Sequence, residues 1–435
     1  MAEIRPFRGI HYSKVLADEL SAVICPPHDI ISPRLQQELY LKSDYNFVRL
    51  EFGQELPDDS ATESRYTRAA AMLEQWLKQG VLEMDEKPVL YLYDQYFVYQ
   101  GKQHRRRGLT CRVRLEEWAR MVVRPHEDTI PRSRHDRLDL LWALQANTSP
   151  ILSLFEDKGR RVASLLAAQE NNPPLLDGQS DGERHVVRAI AEPEIIREIS
   201  RCFARQPLYI ADGHHRYESA LIHQHERLAC SPSVSGKEAF NFVMMTLVDF
   251  ADPGLLILPP HRLVRGISPA DWDGLMAKLM VFFAVERLPL NKSGIWQQVD
   301  NLLADKSEIR LVLFGLDAEH LFVLRVHAPE AISQVMPCFH SELYKQLDVS
   351  IADDIILKKL LPSGGGGKKL TISYCHERRD AVEQVLKQEY QMALLLSPPL
   401  TGTLRTIADA GDRMPCKSTY FHPKLPAGLI LNRLV

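Results

Sequence analysis

Leu208-Tyr209-Ile210-Ala211-Asp212-Gly213-His214-His215-Arg216-Tyr217-Glu218-Ser219-Ala220-Leu221 is the stretch on which the reading turns. Apolar and β-branched residues run into Asp-Gly, the punctuation of a turn. A helical pattern follows, with Tyr217, Ala220, Leu221, Gln224 and Leu228 spaced for one face. Asp212 is placed to cap that helix, and Gly213 lets the backbone approach a ligand with no Cβ in the way. The free N–H groups of a first helical turn form an anion site. Two imidazoles and a guanidinium join them on His214, His215 and Arg216. That combination suits a polyphosphate. A capped helix with a solvated polar first turn has the same pattern, because strand–turn–helix units are abundant.

The chain has 435 residues, which suggests two or three domains. Apolar content of 45% and charged content of 25% are those of a globular protein. A net charge of −3 gives no overall basic field for DNA or anionic membrane. The local basic run His104-Arg105-Arg106-Arg107 reads as a solvated strand end. Seven scattered cysteines without a CxxC pair fit reduced thiols and argue against a disulfide framework or a cysteine zinc site. Met1 to Arg8 holds no apolar run of the signal-peptide kind, and no segment approaches the ~20 apolar residues of a membrane helix. The expectation is a soluble cytoplasmic protein.

Outward from the central stretch the chain alternates strands and helices. Asn46 to Gly53 reads as a half-buried strand, and residues 60–80 as an amphipathic helix through Ala69, Leu73 and Trp76. Val89–Tyr99 and Arg105–Leu115 form a hairpin around Gln100-Gly101-Lys102. Residues 156–190 carry the Asn-Pro and Asp-Gly signals of an excursion between elements. Glu192–Arg205 is a helix feeding the central strand. Trp272–Phe283 and Gly294–Ala304 read as helices, followed by two strands. Gly364–Gly367 reads as a flexible connector. The expected fold is α+β (mixed α/β), divided as a core over 1–265, an accessory α+β insertion over 266–335 and a completing α/β part over 336–435.

Three segments carry complementary chemistry: the Asp212–Arg216 turn, the carboxylate of Glu127 in Pro125-His126-Glu127, and Lys417-Ser418-Thr419. Phosphoryl transfer asks for charge clamps on phosphates, usually a metal, and a carboxylate to accept the nucleophile's proton. Adjacent His214 and His215 point about 100° apart on a helix and do not suit a shared zinc. There is no Walker A, GxGxxG or GxSxG motif.

The turn Ile210 to Tyr217 resembles the phosphate-binding motif of the ParB/sulfiredoxin superfamily. Pro125-His126-Glu127, Asp212-Gly213-His214-His215-Arg216 and Pro415-x-Lys417-Ser418-Thr419 are similar, in order, to the blocks of the free L-serine kinases of that superfamily. The resemblance implies a ParB/sulfiredoxin-like nucleotide-binding core with additional α/β elements. It implies Glu127 as base, with Asp212 and His215 beside it in catalysis and His126 toward the substrate. Gly213, His214, Arg216, Lys417, Ser418 and Thr419 would hold ATP or ADP, with magnesium on Asp212. The whole chain, from Pro26-Pro27-His28-Asp29 through Asp252-Pro253-Gly254 to Pro423-Lys424-Leu425, also resembles a widespread bacterial family described only as a domain of unknown function. Departures from the kinases are the long segments between Glu127 and Asp212 and before Lys417. The implied partners are a nucleotide and a small hydroxyl-bearing molecule, serine first, with no DNA or membrane. A regulatory nucleotide-binding module and a phosphatase or nucleotide hydrolase remain alternatives.

Overall fold

A computed structural model describes residues 2–60, 62–230, 235–361 and 370–435; the Gly364–Gly367 connector lies outside them. The chain is mixed α/β and divides into two compact units. The larger comprises Met1–Pro125, Thr129–Leu256 and Phe421–Val435, and the smaller comprises His126–Asp128 and Ile257–Tyr420.

The larger unit is built on a sheet of nine strands among the described residues. In chain order they are β1 (Ile4–Arg5), β2 (Leu90–Tyr99), β3 (Lys102–Arg114), β4 (Val123–Arg124) and β5 (Ile151–Phe155). Then come β6 (Leu176–Ser180), β7 (Glu183–Ile190), β8 (Leu208–Asp212) and β9 (Phe242–Asp249). Their spatial order is β4-β8-β5-β9-β3-β2-β7-β6, with β1 paired to β3. β4 and β8 run parallel, as do β5 and β9, while β8 and β5 are antiparallel. Helices α1 (Arg65–Lys78), α2 (Pro131–Leu144), α3 (Pro193–Phe203) and α4 (His214–Ala229) belong to the same unit. Val243, Met245 and Leu247 of β9 share one buried cluster with Ile199 and Phe203 of α3 and with Tyr217, Ala220 and Leu221 of α4. The 3.6-residue spacing read from the sequence is therefore the spacing that packs.

The smaller unit has a six-stranded sheet of β10 (His261–Arg265), β11 (Phe283–Pro289), β12 (Arg310–Phe314), β13 (His320–Val326), β14 (Thr371–Cys375) and β15 (Met392–Leu395). Its order is β11-β13-β12-β15-β10-β14, so residues from 266–335 and from beyond 336 share one sheet. Leu311 and Leu313 lie in one buried cluster, Val312 and Phe314 in another. Because successive side chains in a strand point to opposite faces, both faces of this sheet are covered. Helices α5 (Ile295–Ala304) and α6 (Arg378–Leu386) contribute Val299 and Val382 to the second cluster.

Four expectations need correction. Asn46 to Gly53 contains a short helix, Val48–Glu51, and not a strand. Phe47, Val48, Leu50 and Glu51 are all buried, so burial does not alternate, and Asn46 Oδ1 accepts the Val48 N–H at 3.0 Å to start the turn. Residues 156–190 hold a helix, Arg161–Ala167, and the β6–β7 hairpin. Their Asp181-Gly182 is the hairpin turn itself, with φ +52° and +83°. The helix expected over Trp272–Phe283 breaks at Gly274, and Phe283 opens β11. Finally, the basic run is only partly solvated: Arg105 is exposed, but Arg106 is 2% exposed, donating to Gln95 Oε1 and to Pro423 O, and Arg107 forks onto Asp94 at 2.7 and 2.8 Å.

Phe203 is fully buried, with its ring 4.7 Å from that of Phe155. Phe203→Ala is expected to lose about 3–5 kcal/mol in denaturant unfolding, the cost of a cavity under α3.

Candidate functional site

In the larger unit the site begins where β8 ends. Pairing of β8 with β5 shifts register between Ile210 and Asp212, a bulge that re-aims the strand end. Gly213 follows at φ +98°, a left-handed conformation that glycine adopts without strain. Gly213, not Asp212, is the N-cap of α4, and no side chain caps the helix. The first-turn N–H groups are therefore not taken up by Asp212, as the sequence had suggested, because that carboxylate is engaged elsewhere. Its Oδ2 accepts from Arg216 Nη2 at 2.8 Å, and its Oδ1 accepts from Lys424 Nζ. Lys424 Nζ lies 3.8 Å from Asp29 Oδ2 as well.

Arg216 turns inward. Nη1 donates to Ser149 Oγ at 3.0 Å and to Pro150 O at 2.6 Å. Its guanidinium packs beneath the turn, so a Cβ on Gly213 would sit 2.9 Å from Arg216 Nε. Burial lowers the Arg216 pKa, with Arg137 adding to the effect and Glu51 and Asp29 opposing it. His214 is buried, and His215 Nε2 accepts the Ile130 N–H at 2.8 Å.

Behind the turn lies a buried carboxylate, Glu51, with 0% exposure. It accepts from Arg137 Nη1 at 3.3 Å, Ser149 Oγ at 3.2 Å and Thr148 Oγ1, and His28 Nδ1 stands 3.8 Å away. Burial pushes its pKa up, but His28, Arg137 and Thr148 outweigh that and hold it at about 2. Burial and Arg137 in turn lower the His28 pKa. Ser149 thus joins Glu51 to Arg216, and Arg216 joins Ser149 to Asp212. Asp29, Glu51, Asp136 and Asp212 stand against Arg65, Arg137, Arg216 and Lys424, four charges of each sign.

In the smaller unit His126–Asp128 lies parallel to the segment around Met414. Met414 N donates to His126 O at 2.8 Å, and Asp128 N donates to Met414 O at 3.2 Å. This clip brings together residues about 290 apart in sequence. Glu127 Oε1 accepts the Lys417 N–H at 2.6 Å, and Oε2 accepts the Ser418 N–H at 3.1 Å and the Thr419 hydroxyl at 3.3 Å. The turn is tight: Lys417 sits at φ +60°, and Ser418 Oγ donates to Pro415 O at 2.5 Å. His126 is fully buried, and its Nε2 lies 2.9 Å from Thr419 Oγ1.

The structure therefore gathers Glu127, His126, Lys417, Ser418 and Thr419 within one unit, and Asp212 to Arg216 within the other. Sequence reasoning did not single out Lys424, Asp29, Ser149 or Glu51. Two of them had a signal, since Asp29 and Lys424 stand in the Pro-Pro-His-Asp and Pro-Lys-Leu blocks. Among the described residues no group of three or more His, Cys, Asp or Glu side chains is arranged to hold a metal ion, and no helix is long and apolar enough to cross a membrane.

The family model described as "Protein of unknown function (DUF1015)" matches residues 4–350, and the chain belongs to that family. No curated protein matches the sequence. Among solved structures, a free serine kinase variant in complex with AMP has a TM-score of 0.38 at 12% identity, over 74% of this chain and 91% of that one. A conserved hypothetical protein from Pyrococcus furiosus has 0.37 at 14%, over 75% and 97%. SbnI from Staphylococcus aureus, with a C-terminal truncation, has 0.35 at 9%, over 74% and 87%. Likenesses of this size establish neither fold nor activity.

The depressed Glu51 pKa fixes a pH signature. A carboxylate at about 2 in the folded chain and 4.5 otherwise contributes stability that is complete above pH 4.5 and is lost as pH falls toward 2. Glu51→Gln is expected to cost roughly 3 kcal/mol at neutral pH and to flatten the acid limb of stability below pH 4.5, read by denaturant unfolding at each pH.

Proposed function

We propose that this DUF1015 member is a small-molecule kinase that transfers the terminal phosphoryl group of ATP or ADP to a hydroxyl acceptor, free L-serine first. The observation that supports it most is the clip of Glu127 onto Lys417-Ser418-Thr419, because it joins two of the three blocks that resemble the serine kinases. Serine itself rests on that resemblance. In the reaction Glu127 takes the acceptor's hydroxyl proton. The acceptor oxygen bonds to the terminal phosphorus as that phosphorus parts from the bridging oxygen of the nucleotide.

The residues present suit a nucleotide's phosphates on α4. Its first turn begins at a glycine, has no side-chain cap and lies at the positive end of the helix dipole. His214 and His215 belong to that turn. Arg216 serves it from below by fixing Asp212, the Ser149 hydroxyl and the Pro150 carbonyl. Lys417, Ser418 and Thr419 are given to the nucleotide by the resemblance alone. Magnesium on Asp212 does not fit the residues as they stand, since each oxygen already faces a cation. No step is assigned to it.

A specific observation favours a second reading, a nucleotide-binding module without chemistry. Glu127 already accepts three hydrogen bonds from the 417–419 turn, which a purely structural carboxylate would also do. Turnover separates the two. The parent chain is expected to form O-phosphoserine from nucleotide and serine, and Glu127→Gln to lower the rate by about 10²–10⁴-fold with nucleotide binding retained. An unchanged rate in the variant removes Glu127 as the base. Nucleotide consumption that is equal with and without serine makes water the acceptor, and no consumption with intact binding leaves the module.

A further inference from the structure

The smaller unit contains a cavity of about 530 Å³, within the range of small-ligand pockets. None of the kinase residues lines it. Its walls include three aromatic rings, Trp272, Phe314 and Tyr390, and two carboxylates, Asp273 and Asp317; no Lys, Arg or His is among the lining residues. Each wall is braced. Trp272 and Asp273 ride on the short helix Pro269–Asp273, where Ser268 Oγ accepts the Asp271 N–H at 3.2 Å. Gln391 ties the floor together, with Oε1 accepting from Ile267 N at 2.8 Å and Nε2 donating to Ile267 O at 3.1 Å. Gly315, at φ +122°, lets the β12–β13 turn press against the start of β15, since a Cβ there would lie 2.3 Å from Gln391 O. Asp317 closes that turn by accepting the N–H groups of Glu319 and His320 at 2.9 and 2.7 Å. Burial raises its pKa, but these bonds and His320 outweigh that, so it stays ionised.

Aromatic faces attract cations through their quadrupole, and a carboxylate beside them adds charge complementarity; Asp317 is shared with His320, which leaves Asp273 as the carboxylate for a ligand. Tyr390 already shows the preference, with the Arg265 guanidinium 5.7 Å from its ring centroid. We propose that this cavity binds a small organic cation, an amine or quaternary ammonium with an apolar body, between Trp272, Tyr390 and Asp273. The site lies wholly within the smaller unit and is independent of the phosphoryl chemistry.

Choline and its uncharged isostere 3,3-dimethylbutan-1-ol, titrated calorimetrically into the full chain, test this. Choline is expected to bind, and the isostere to bind about fivefold or more weakly, because only its charge is missing. Trp272→Ala should weaken choline by about tenfold. Asp273→Asn, on an exposed position that leaves the fold intact, should weaken it severalfold and flatten its salt dependence. Equal binding of the two probes, no binding of choline, or choline binding that Asp273→Asn leaves unchanged would each overturn the proposal.

Discussion

The Asp212 carboxylate is held between two cations, Arg216 from its own helix and Lys424 from the C-terminal segment. That grip explains why Asp212 does not cap α4. It also fixes the strand end, the Gly213 turn and the first turn of the helix as one piece. Arg216 can hold Asp212 only because Ser149 and Pro150 receive its other nitrogen, and Ser149 is placed in turn by Glu51. A buried carboxylate with 0% exposure would be costly alone; Arg137 and two hydroxyls on it answer its charge.

Glu127 plays a comparable part in the smaller unit. Its carboxylate gathers two backbone N–H groups and a hydroxyl into a turn that includes a left-handed lysine. Successive N–H groups converging on an oxyanion form a nest of the kind that also receives phosphates. The same turn could therefore trade its carboxylate partner for a phosphoryl oxygen, which is how a structural contact and a catalytic one come to occupy the same atoms in the kinase reading.

Much of this was legible from residues alone. The strand, the Gly213 turn and the helix after it follow from local punctuation and a 3.6-residue period, and both survive folding because the apolar face of α4 finds the sheet. The Val89–Tyr99 hairpin was legible for the same reason. Local signals failed where burial is continuous, as at Phe47 to Glu51, or where a turn signal inside an excursion was itself a hairpin, as at Asp181-Gly182. Partnerships were the least legible. Nothing in spacing says that Asp212 answers to Lys424, 212 residues away, or that Glu127 answers to a backbone 290 residues on. Residue chemistry singled out Glu127 and Lys417 to Thr419, and the match of whole blocks included Lys424, but neither named the contact.

The central claim is that the Gly213 turn at the head of α4 receives the phosphates of a nucleotide. Gly213→Ala tests it most directly: the left-handed φ resists a side chain, and the new Cβ meets Arg216 beneath the turn. Calorimetric titration of the full chain with ADP should show an affinity at least ~10-fold lower in the variant, the loss of roughly one charged hydrogen bond, with its cooperative unfolding retained. A folded Gly213→Ala chain that binds ADP as tightly as the parent would contradict the account.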